Sequence, residues 1–345
     1  MLSTGRYTDH SKGHARRKSP TQNGWRCRLS LILLAVHLSI SIPSYAEPTS
    51  PFRIGALTDS WGGTPHLQGL RDGLTDLGYR ENHDFVFGIR FTQGRRQDLH
   101  EAASDLVQAG AELILTTSIV TTQAVQQATS HIPIVFLGVE DPVGSGLIKS
   151  YAQPGGNITG VSSLDIELVP KRLQVFQELI PTLSRVLFVY DATDIYPAKA
   201  VGLLKQAARR LGIELVVHAV RTQAEANTLF SQIDSLKIDG ILSSPCCVFN
   251  IAGLILEHHQ KIPTMFHTAG FWIEHGALAS YGPDTYVTGR QSAHIVEKII
   301  KGGDPGTIPV EVNSNIKFTI NLKTAKMLKI GIPPEVLIRA NHVVR

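Results

Sequence analysis

The sequence is poor in cysteine, which excludes a fold held together by disulfides. Its 345 residues include three cysteines: Cys27, Cys246 and Cys247. Disulfide-built domains carry many more, and two adjacent cysteines do not meet ordinary disulfide geometry. We therefore expect an apolar core to stabilise the fold, with Cys246 and Cys247 as small, partly buried side chains.

Long apolar runs are lacking beyond the N-terminal region. The one candidate, Leu29–Ile42, follows a basic stretch and ends shortly before Ala46. It is shorter than the roughly 20 residues that span a bilayer, and the order of basic, apolar and small residues is typical of a secretory signal. We predict a signal peptide over 1–46, cleaved before Glu47, and a periplasmic protein; a retained N-terminal anchor is the alternative. Cys27 precedes the apolar run, which favours a soluble exported protein over a lipoprotein.

An excess of positive charge is lacking from the body of the chain. The formal net charge is +4, from 33 basic and 29 acidic residues. The first 46 residues contain seven of these basic residues and one acidic residue, which leaves 26 basic and 28 acidic residues and a net charge of −2. Proteins that bind nucleic acid carry basic surfaces. We therefore predict that nucleic acid is not a partner.

Several catalytic and nucleotide-binding signatures are also missing. The chain has no G-x-G-x-x-G and no G-x-x-x-x-G-K-[ST] motif, so phosphate-binding loops are not indicated. The segment Gly160–Leu164 lacks the final glycine of a nucleophile elbow. Glu257-His258-His259 does not have the zinc-binding H-E-x-x-H spacing. The sequence predicts neither catalysis, nor a cofactor, nor a metal site.

Strand and helix signals alternate along the mature chain. Strand-like runs occupy 52–59, 85–91, 112–117, 132–139, 158–163, 185–191, 213–220, 239–244, 262–268, 277–282 and 316–321. Helical periodicity lies between them, as in Leu99, Ala102, Ala103, Leu106 and Val107. The strands are continuous apolar runs, as expected for parallel strands with both faces covered. The pattern predicts an α/β protein with two doubly wound parallel-sheet lobes.

The boundary between the lobes is expected near 160–164, where glycines loosen the connection. The tail after residue 282 has too few elements for a third domain, so it must return to the existing lobes. We expect lobe 1 to comprise 47–161 with 282–312, and lobe 2 to comprise 162–281 with 313–345.

Several segments resemble one transport family. They are FRIGALTD (52–59), GLRDGLTDLGYRENHDFVFGIRF (69–91), IPIVFLGVEDPVGSGLIKSYAQPGGNITGVSS (132–163), KRLQVFQELIPTLSRV (171–186), GALASYGPD (276–284) and FTINLKTAKMLKIGIPPEVLIRANHVV (318–344). The chain thereby resembles the extracytoplasmic solute-binding proteins of ABC importers, in the group of tryptophan- and tyrosine-type binding proteins.

The resemblance implies a type I periplasmic-binding-protein fold, with two lobes joined by a multi-segment hinge and closing around a small ligand. It also implies ABC permease subunits as partners and an amino acid or related molecule as ligand. The sequence departs from the family pattern at Asp191-Ala192, where Asn-Pro is usual, and at Ser244-Pro245, where Asp-Pro is frequent. Both changes fall where ligand selectivity would be set. We expect a monomer.

Polar residues at the carboxyl ends of the predicted strands are the candidate ligand contacts, because ligands of open parallel sheets bind there. The candidates are Asp59, Ser60, Trp61, Thr117, Ser118, Asp141, Ser163, Asp191, Cys246, His267 and Tyr281. Thr117 and Ser118 precede a helix, whose N-terminus favours a ligand carboxylate, and Asp141 is expected to pair with a ligand ammonium. N-capping by Ser118 and turn formation by Asp141 are the structural alternatives. For Asp191 the alternative is a helix cap, for His267 a structural hydrogen bond, and for Trp61 a half-buried loop position.

Rival functions remain open at this stage. A sensory protein of the same fold would present its ligand to a receptor or kinase. A two-domain periplasmic enzyme would need an acid–base constellation in the cleft. A repressor core of this fold would need a helix-turn-helix in place of the N-terminal signal.

Overall fold

The structure is a computed structural model that describes residues 50–60, 63–163, 165–192, 195–244, 251–268 and 271–345. Of residues 195–198 and 271 it gives the backbone. The predicted signal peptide, Trp61, Cys246 and Cys247 lie outside the described residues. No helix in the described ranges has the length and apolar character that a membrane crossing needs.

The described strands form two sheets. In chain order they are β1 (Phe52–Thr58), β2 (Phe85–Phe91), β3 (Leu113–Thr116), β4 (Ile134–Val139), β5 (Ile158–Ser163), β6 (Arg185–Asp191), β7 (Glu214–Val220), β8 (Gly240–Ser243), β9 (Thr264–Phe266), β10 (Ala279–Pro283), β11 (Glu311–Asn313), β12 (Ile316–Asn321) and β13 (His342–Val344). The first sheet has the order β11-β5-β4-β3-β1-β2 and the second β13-β12-β10-β9-β8-β6-β7.

Almost all strand pairs are parallel. Every pair of the first sheet is parallel. In the second sheet, β10 and β12 run antiparallel and the remaining pairs are parallel. The central strands β3 and β8 are buried along their whole length. This burial explains why their sequences are continuous apolar runs, since helices cover both faces of a doubly wound sheet.

The helices are α1 (Pro65–Asp76), α2 (Leu99–Gln108), α3 (Ile119–Ala128), α4 (Asp165–Leu179), α5 (Ile195–Leu211), α6 (Gln223–Ser231), α7 (Ile251–Glu257), α8 (Phe271–Glu274), α9 (Thr285–Ile300), α10 (Leu322–Met327) and α11 (Pro334–Leu337). Two apolar clusters flank the first sheet, one with α1 and α9 and one with α2 and α3. The second sheet likewise has one cluster with α4 and α5 and one with α6, α7 and α8. The prediction of two α/β lobes is confirmed, and we use lobe 1 and lobe 2 for the first and second sheets with their helices.

Among the described strands, the chain passes between the two sheets three times. It leaves the first sheet after β5, returns to it between β10 and β11, and leaves again between β11 and β12. Helix α9 packs along α1 and so belongs with lobe 1. The predicted domain limits stay a prediction, but the polar ends of the parallel strands face the region of these crossings.

Candidate functional site

A cavity of about 150 Å³ that is partly open to solvent lies between the two lobes. Its walls come from the carboxyl ends of β1, β3, β4 and β5 in lobe 1, and from segments after β9 and at the end of β10 in lobe 2. The lining residues are Thr58, Asp59, Ser60, Gly63, Thr64, Pro65, His66, Thr117, Ser118, Gly138, Glu140, Ser163, Asp165, His267, Thr268, Trp272, Pro283, Thr285 and Thr288. A partly enclosed cavity with a few convergent polar groups is the usual form of a small-molecule site.

Four long helices of the described residues, α1, α3, α4 and α9, begin at this cavity. Capping side chains are seen at three of them. The side chain of Thr64 caps α1 by accepting from Leu67 N at 3.4 Å, and Ser118 caps α3 in a reciprocal capping box with Thr121. The Asp284 carboxylate caps α9 by accepting from Tyr286 N at 3.0 Å. Each helix start carries backbone N–H groups and the positive end of the helix dipole. The cavity is therefore suited to receive an anionic group.

A short chain of hydroxyls links the ends of β1 and β3. The Oγ1 of Thr117 donates to Oγ1 of Thr58 at 3.0 Å, and Thr58 Oγ1 donates to Oγ of Ser60 at 3.0 Å. Asp59 lies between Thr58 and Ser60 in the chain and is 7% exposed. Burial raises the pKa of Asp59, although a hydrogen bond from the Ser118 side chain lowers it. This wall offers one buried carboxyl next to several neutral hydrogen-bonding groups.

Two histidines of the cavity wall are neutral at physiological pH. Burial lowers the pKa of His66 to about 4, against the opposing charge of Asp284. Burial also lowers the pKa of His267 to about 4; the charge of Asp165 opposes this shift and that of Arg172 adds to it. Nδ1 of His267 lies 3.5 Å from Oγ of Ser243. The histidines thus add hydrogen-bonding capacity without adding charge.

Lobe 2 closes the cavity with an aromatic pair and a buried ion pair. The Trp272 ring stacks on Phe266, with 5.2 Å between the ring centroids and 17° between the planes. The Asp165 carboxylate binds the Arg172 guanidinium, and Arg172 is 1% exposed. Nε of Arg172 also donates to the Tyr281 carbonyl oxygen at 2.6 Å. Arg172 thereby connects the start of α4, which follows the crossing after β5, with β10, which precedes the crossing back to the first sheet.

Six of the predicted contacts line the cavity: Asp59, Ser60, Thr117, Ser118, Ser163 and His267. Three others lie outside its lining. The Asp141 carboxylate binds Lys199 and accepts from Gly144 N at 2.8 Å, and the Lys199 ammonium holds the pKa of Asp141 below its usual value. Asp191 binds Arg96, and the ring of Tyr281 packs edge-on against Phe318. The roles predicted for these three, and for Trp61 and Cys246, stay predictions.

Several lining residues were missed in the sequence, among them His66, Trp272 and Thr288. His66 and Thr288 lie one turn or less inside α1 and α9. Strand-end reasoning does not reach into a helix that follows a loop. For Trp272 a signal was available, because it follows shortly after the strand that ends at Phe266.

The arrangement can bind a molecule that is both charged and apolar. It provides helix N-termini for an anion, the Asp59 carboxyl for a cation, and Trp272 with Pro65 and Pro283 as apolar surface. In the described part of the chain, no three His, Cys, Asp or Glu side chains are grouped so that they could hold a metal ion.

Known proteins with the same organisation were found in three comparisons. Residues 62–344 match the family described as ABC transporter substrate binding protein. The tyrosine-binding protein of Clostridioides difficile is 29% identical over 268 residues, which are 76% of this chain and 75% of that protein.

Two solved structures extend the likeness to three dimensions. A conserved domain protein from Vibrio cholerae is 32% identical with a TM-score of 0.73, over 85% of this chain and 99% of that one. An ABC domain from Streptococcus pneumoniae in complex with L-tryptophan is 26% identical with a TM-score of 0.74, over 86% of this chain and all of that one (100%). The family match spans nearly all of both lobes and confirms the resemblance seen in the sequence. The chain therefore belongs to the ABC transporter substrate-binding proteins, extracytoplasmic receptors that bind a small molecule and work with a membrane permease.

Proposed function

We propose that this chain binds an aromatic L-amino acid in the cavity between its lobes and delivers it, without chemical change, to an ABC permease. The observation that carries the proposal is the joint position of the buried Asp59 carboxyl and the α3 N-terminus on one wall, with Trp272 also in the lining. The relatives described as binding tyrosine and L-tryptophan support the same ligand class.

The ligand carboxylate binds at Thr117 and Ser118, where α3 begins. The Ser118 hydroxyl already accepts from Thr121 N at 3.3 Å and hydrogen-bonds the Asp59 carboxyl, so it fixes both the helix start and that carboxyl. The first backbone N–H groups of the helix supply the donors, and the helix dipole favours the negative charge.

The ligand ammonium binds Asp59. The sequence had assigned this role to Asp141, whose carboxylate faces Lys199 rather than the cavity. Burial opposes ionisation of Asp59, and a bound ammonium would offset that cost as an opposite charge does for any buried carboxylate. Binding should weaken as the pH falls through the raised pKa of Asp59, since the protonated carboxyl has no charge to pair.

The ligand ring packs against Trp272. One face of this indole is stacked on Phe266, which fixes the ring plane. Offset or edge-to-face contact with a second aromatic ring adds about 0.5–1.5 kcal/mol to the binding free energy, in addition to the contribution of the buried apolar area.

The protein acts outside the cytoplasm as a monomer, after removal of residues 1–46. N-terminal sequencing of the exported protein should begin at Glu47, and protein confined to the cytoplasm would contradict this part of the proposal.

A thermal-shift screen of the chain from Glu47 onward tests the ligand class. The panel contains the amino acids, common sugars and small organic acids, each at the same concentration. A ligand at 100 times its Kd adds about 2.7 kcal/mol to the free energy of unfolding, so L-tryptophan and L-tyrosine should give the largest rises in melting temperature. A rise confined to sugars would overturn the proposal.

A further inference from the structure

Two acidic residues that lie outside the cavity lining each pair with a basic residue of the opposite lobe. Asp141 follows β4 of lobe 1 and binds Lys199 on α5 of lobe 2. Asp191 ends β6 of lobe 2, and its Oδ2 lies 3.1 Å from Nη1 of Arg96 in lobe 1. The two pairs are reciprocal, because each lobe contributes one acid and one base. Separating the lobes breaks both pairs at once.

The two pairs differ in their exposure. The side chains of Lys199 and Asp141 are 55% and 24% exposed, so this pair lies at the rim. The side chain of Asp191 is completely buried, whereas that of Arg96 is 40% exposed. Solvent screens the partly buried pair less than the rim pair, so losing the arginine should cost more than losing the rim lysine.

A short loop connects one of these pairs to the cavity. Gly94 N donates to the carbonyl oxygen of Asp59 at 2.8 Å, and Thr92 N donates to the carbonyl oxygen of Thr58 at 3.0 Å. Arg96 follows two residues after Gly94, at the start of a short 3-10 helix. The backbone that positions Asp59 in the cavity therefore also positions Arg96 against lobe 2.

We propose that Arg96–Asp191 and Lys199–Asp141 form a closure latch that stabilises the closed arrangement of the lobes before any ligand binds. None of these four residues is in the cavity lining. The latch therefore raises the affinity for every ligand by one common factor and leaves the preference between ligands unchanged. If only the closed fraction binds, the apparent Kd is the Kd of the closed state divided by that fraction.

The test measures the closed fraction of the ligand-free chain by energy transfer between two dyes. Exposed positions receive the dyes, through Glu101→Cys in lobe 1 and Lys205→Cys in lobe 2, with Cys246 and Cys247 replaced by serine. Lys199→Gln should lower the ratio of closed to open molecules about 1.4- to 5-fold, the range for exposed ion pairs. Arg96→Gln should lower the ratio of closed to open molecules further. Lys199→Arg, which keeps the positive charge, should leave the ratio at the wild-type value.

A matched control is available within lobe 1. Lys301, directly after α9, pairs with Glu297 of that helix at 2.7 Å, with side-chain exposures of 64% and 21% that resemble those of the rim pair. Lys301→Gln should leave the closed fraction unchanged. Raising NaCl from 0.05 to 0.5 M should lower the closed fraction of the wild type, because screening weakens exposed pairs.

Equal closed fractions in wild type, Lys199→Gln and Arg96→Gln would overturn the latch. Should Arg96→Gln fail to fold, Lys199→Gln on the rim still decides the outcome. With L-tryptophan as probe, the apparent Kd multiplied by the closed fraction should be the same in all variants. The ratio between the Kd values of L-tryptophan and L-tyrosine should also be the same in all variants. If neither amino acid binds, the proposed function fails while the ligand-free measurement still tests the latch.

Asp141→Asn separates the latch from direct ligand contact. The asparagine side-chain oxygen can still accept from Gly144 N, so the turn is kept while the charge is lost. The latch predicts the same loss for Asp141→Asn and Lys199→Gln and no further loss in the double variant. Weaker L-tryptophan binding by Asp141→Asn at an unchanged closed fraction would make Asp141 a ligand contact and contradict its part in the latch.

Discussion

At the scale of single residues, Asp59 is an acidic group whose ionised form is disfavoured by its burial. Its carboxyl is buried, and that burial raises its pKa. A raised pKa means that the folded protein disfavours the ionised form, so at neutral pH the carboxylate opposes stability. Such a group is expected where a charge serves binding.

Asp59→Asn should lower the affinity for L-tryptophan at least about thirty-fold, because losing one member of a desolvated charge pair costs about 2–5 kcal/mol. The free energy of unfolding of the ligand-free protein should stay the same or rise. Isothermal titration and urea unfolding measure the two quantities. Asp105→Asn is the control, since Asp105 forms an exposed pair with Arg90. Unchanged affinity in Asp59→Asn would remove Asp59 from the site.

His267 should make the protein less stable in mild acid. Its pKa is about 4 in the folded state, against an ordinary value of 6.5. Between these two pH values, the unfolded chain therefore binds a proton at His267 that the folded chain does not bind. This contribution to stability is fully present above pH 6.5 and is lost as the pH falls towards 4, by about 3 kcal/mol.

Urea unfolding of the wild type and of His267→Asn at several pH values between 4.5 and 7.5 measures this contribution. The free energy of unfolding should fall less steeply with decreasing pH in the variant. The same slope in both proteins would contradict the account of His267.

Which residues line the cavity could be predicted only in part. Asp59, Thr117 and Ser118 could be predicted, because a polar residue directly after a buried parallel strand lies at the ligand-binding edge of the sheet. Asp141 and Asp191 occupy equivalent positions, yet ion pairs across the lobes hold their carboxylates. Their partners lie 58 and 95 residues away, and no local pattern reports such a contact.

At the scale of elements, the contact between α1 and α9 fixes one wall of the cavity. A Cβ atom on Gly69 would clash with the carbonyl oxygen of Tyr286, and one on Gly289 would clash with that of His66. The two helices therefore approach each other backbone to backbone. This contact positions the start of α1, including Pro65 and His66, against the start of α9.

Gly69→Ala should lower the free energy of unfolding by about 1–3 kcal/mol, the usual cost of overpacking. Gly202→Ala is the matched control, because Gly202 lies in α5 with open space where its Cβ would be. Relief of a helical glycine should stabilise the protein by about 0.5–1 kcal/mol. Urea unfolding measures both changes. Equal effects of the two substitutions would contradict the close approach of α1 and α9.

Elements with strong local patterns were predicted well, and several short elements without such a pattern were not. Continuous apolar runs indicated the strands from β1 to β10 because parallel strands are buried on both faces. Strands β11 and β13 are three residues each and pair with β5 and β12, far away in sequence. Helix α8 has four residues. Such elements form because a tertiary partner supplies their contacts, so their own sequences carry little signal.

At the scale of the whole molecule, the two lobes form a ligand site because the carboxyl ends of their parallel strands face each other near the crossings. The two doubly wound lobes could be predicted from the sequence. The distance between the lobes could not be predicted from the sequence. It depends on ion pairs such as Arg96–Asp191, which form only between folded lobes. Domain closure around a ligand requires that the closed state makes contacts which the open state lacks.

The most direct test of the central claim is isothermal titration of the chain from Glu47 onward with L-tryptophan, tryptamine and indole-3-propionic acid. The account predicts one L-tryptophan per chain, with a negative heat-capacity change from apolar burial. Tryptamine lacks the carboxylate and indole-3-propionic acid lacks the ammonium, so each should bind at least about thirty-fold more weakly. Equal binding of all three compounds, or no binding of L-tryptophan and L-tyrosine while a sugar saturates the site, would contradict it.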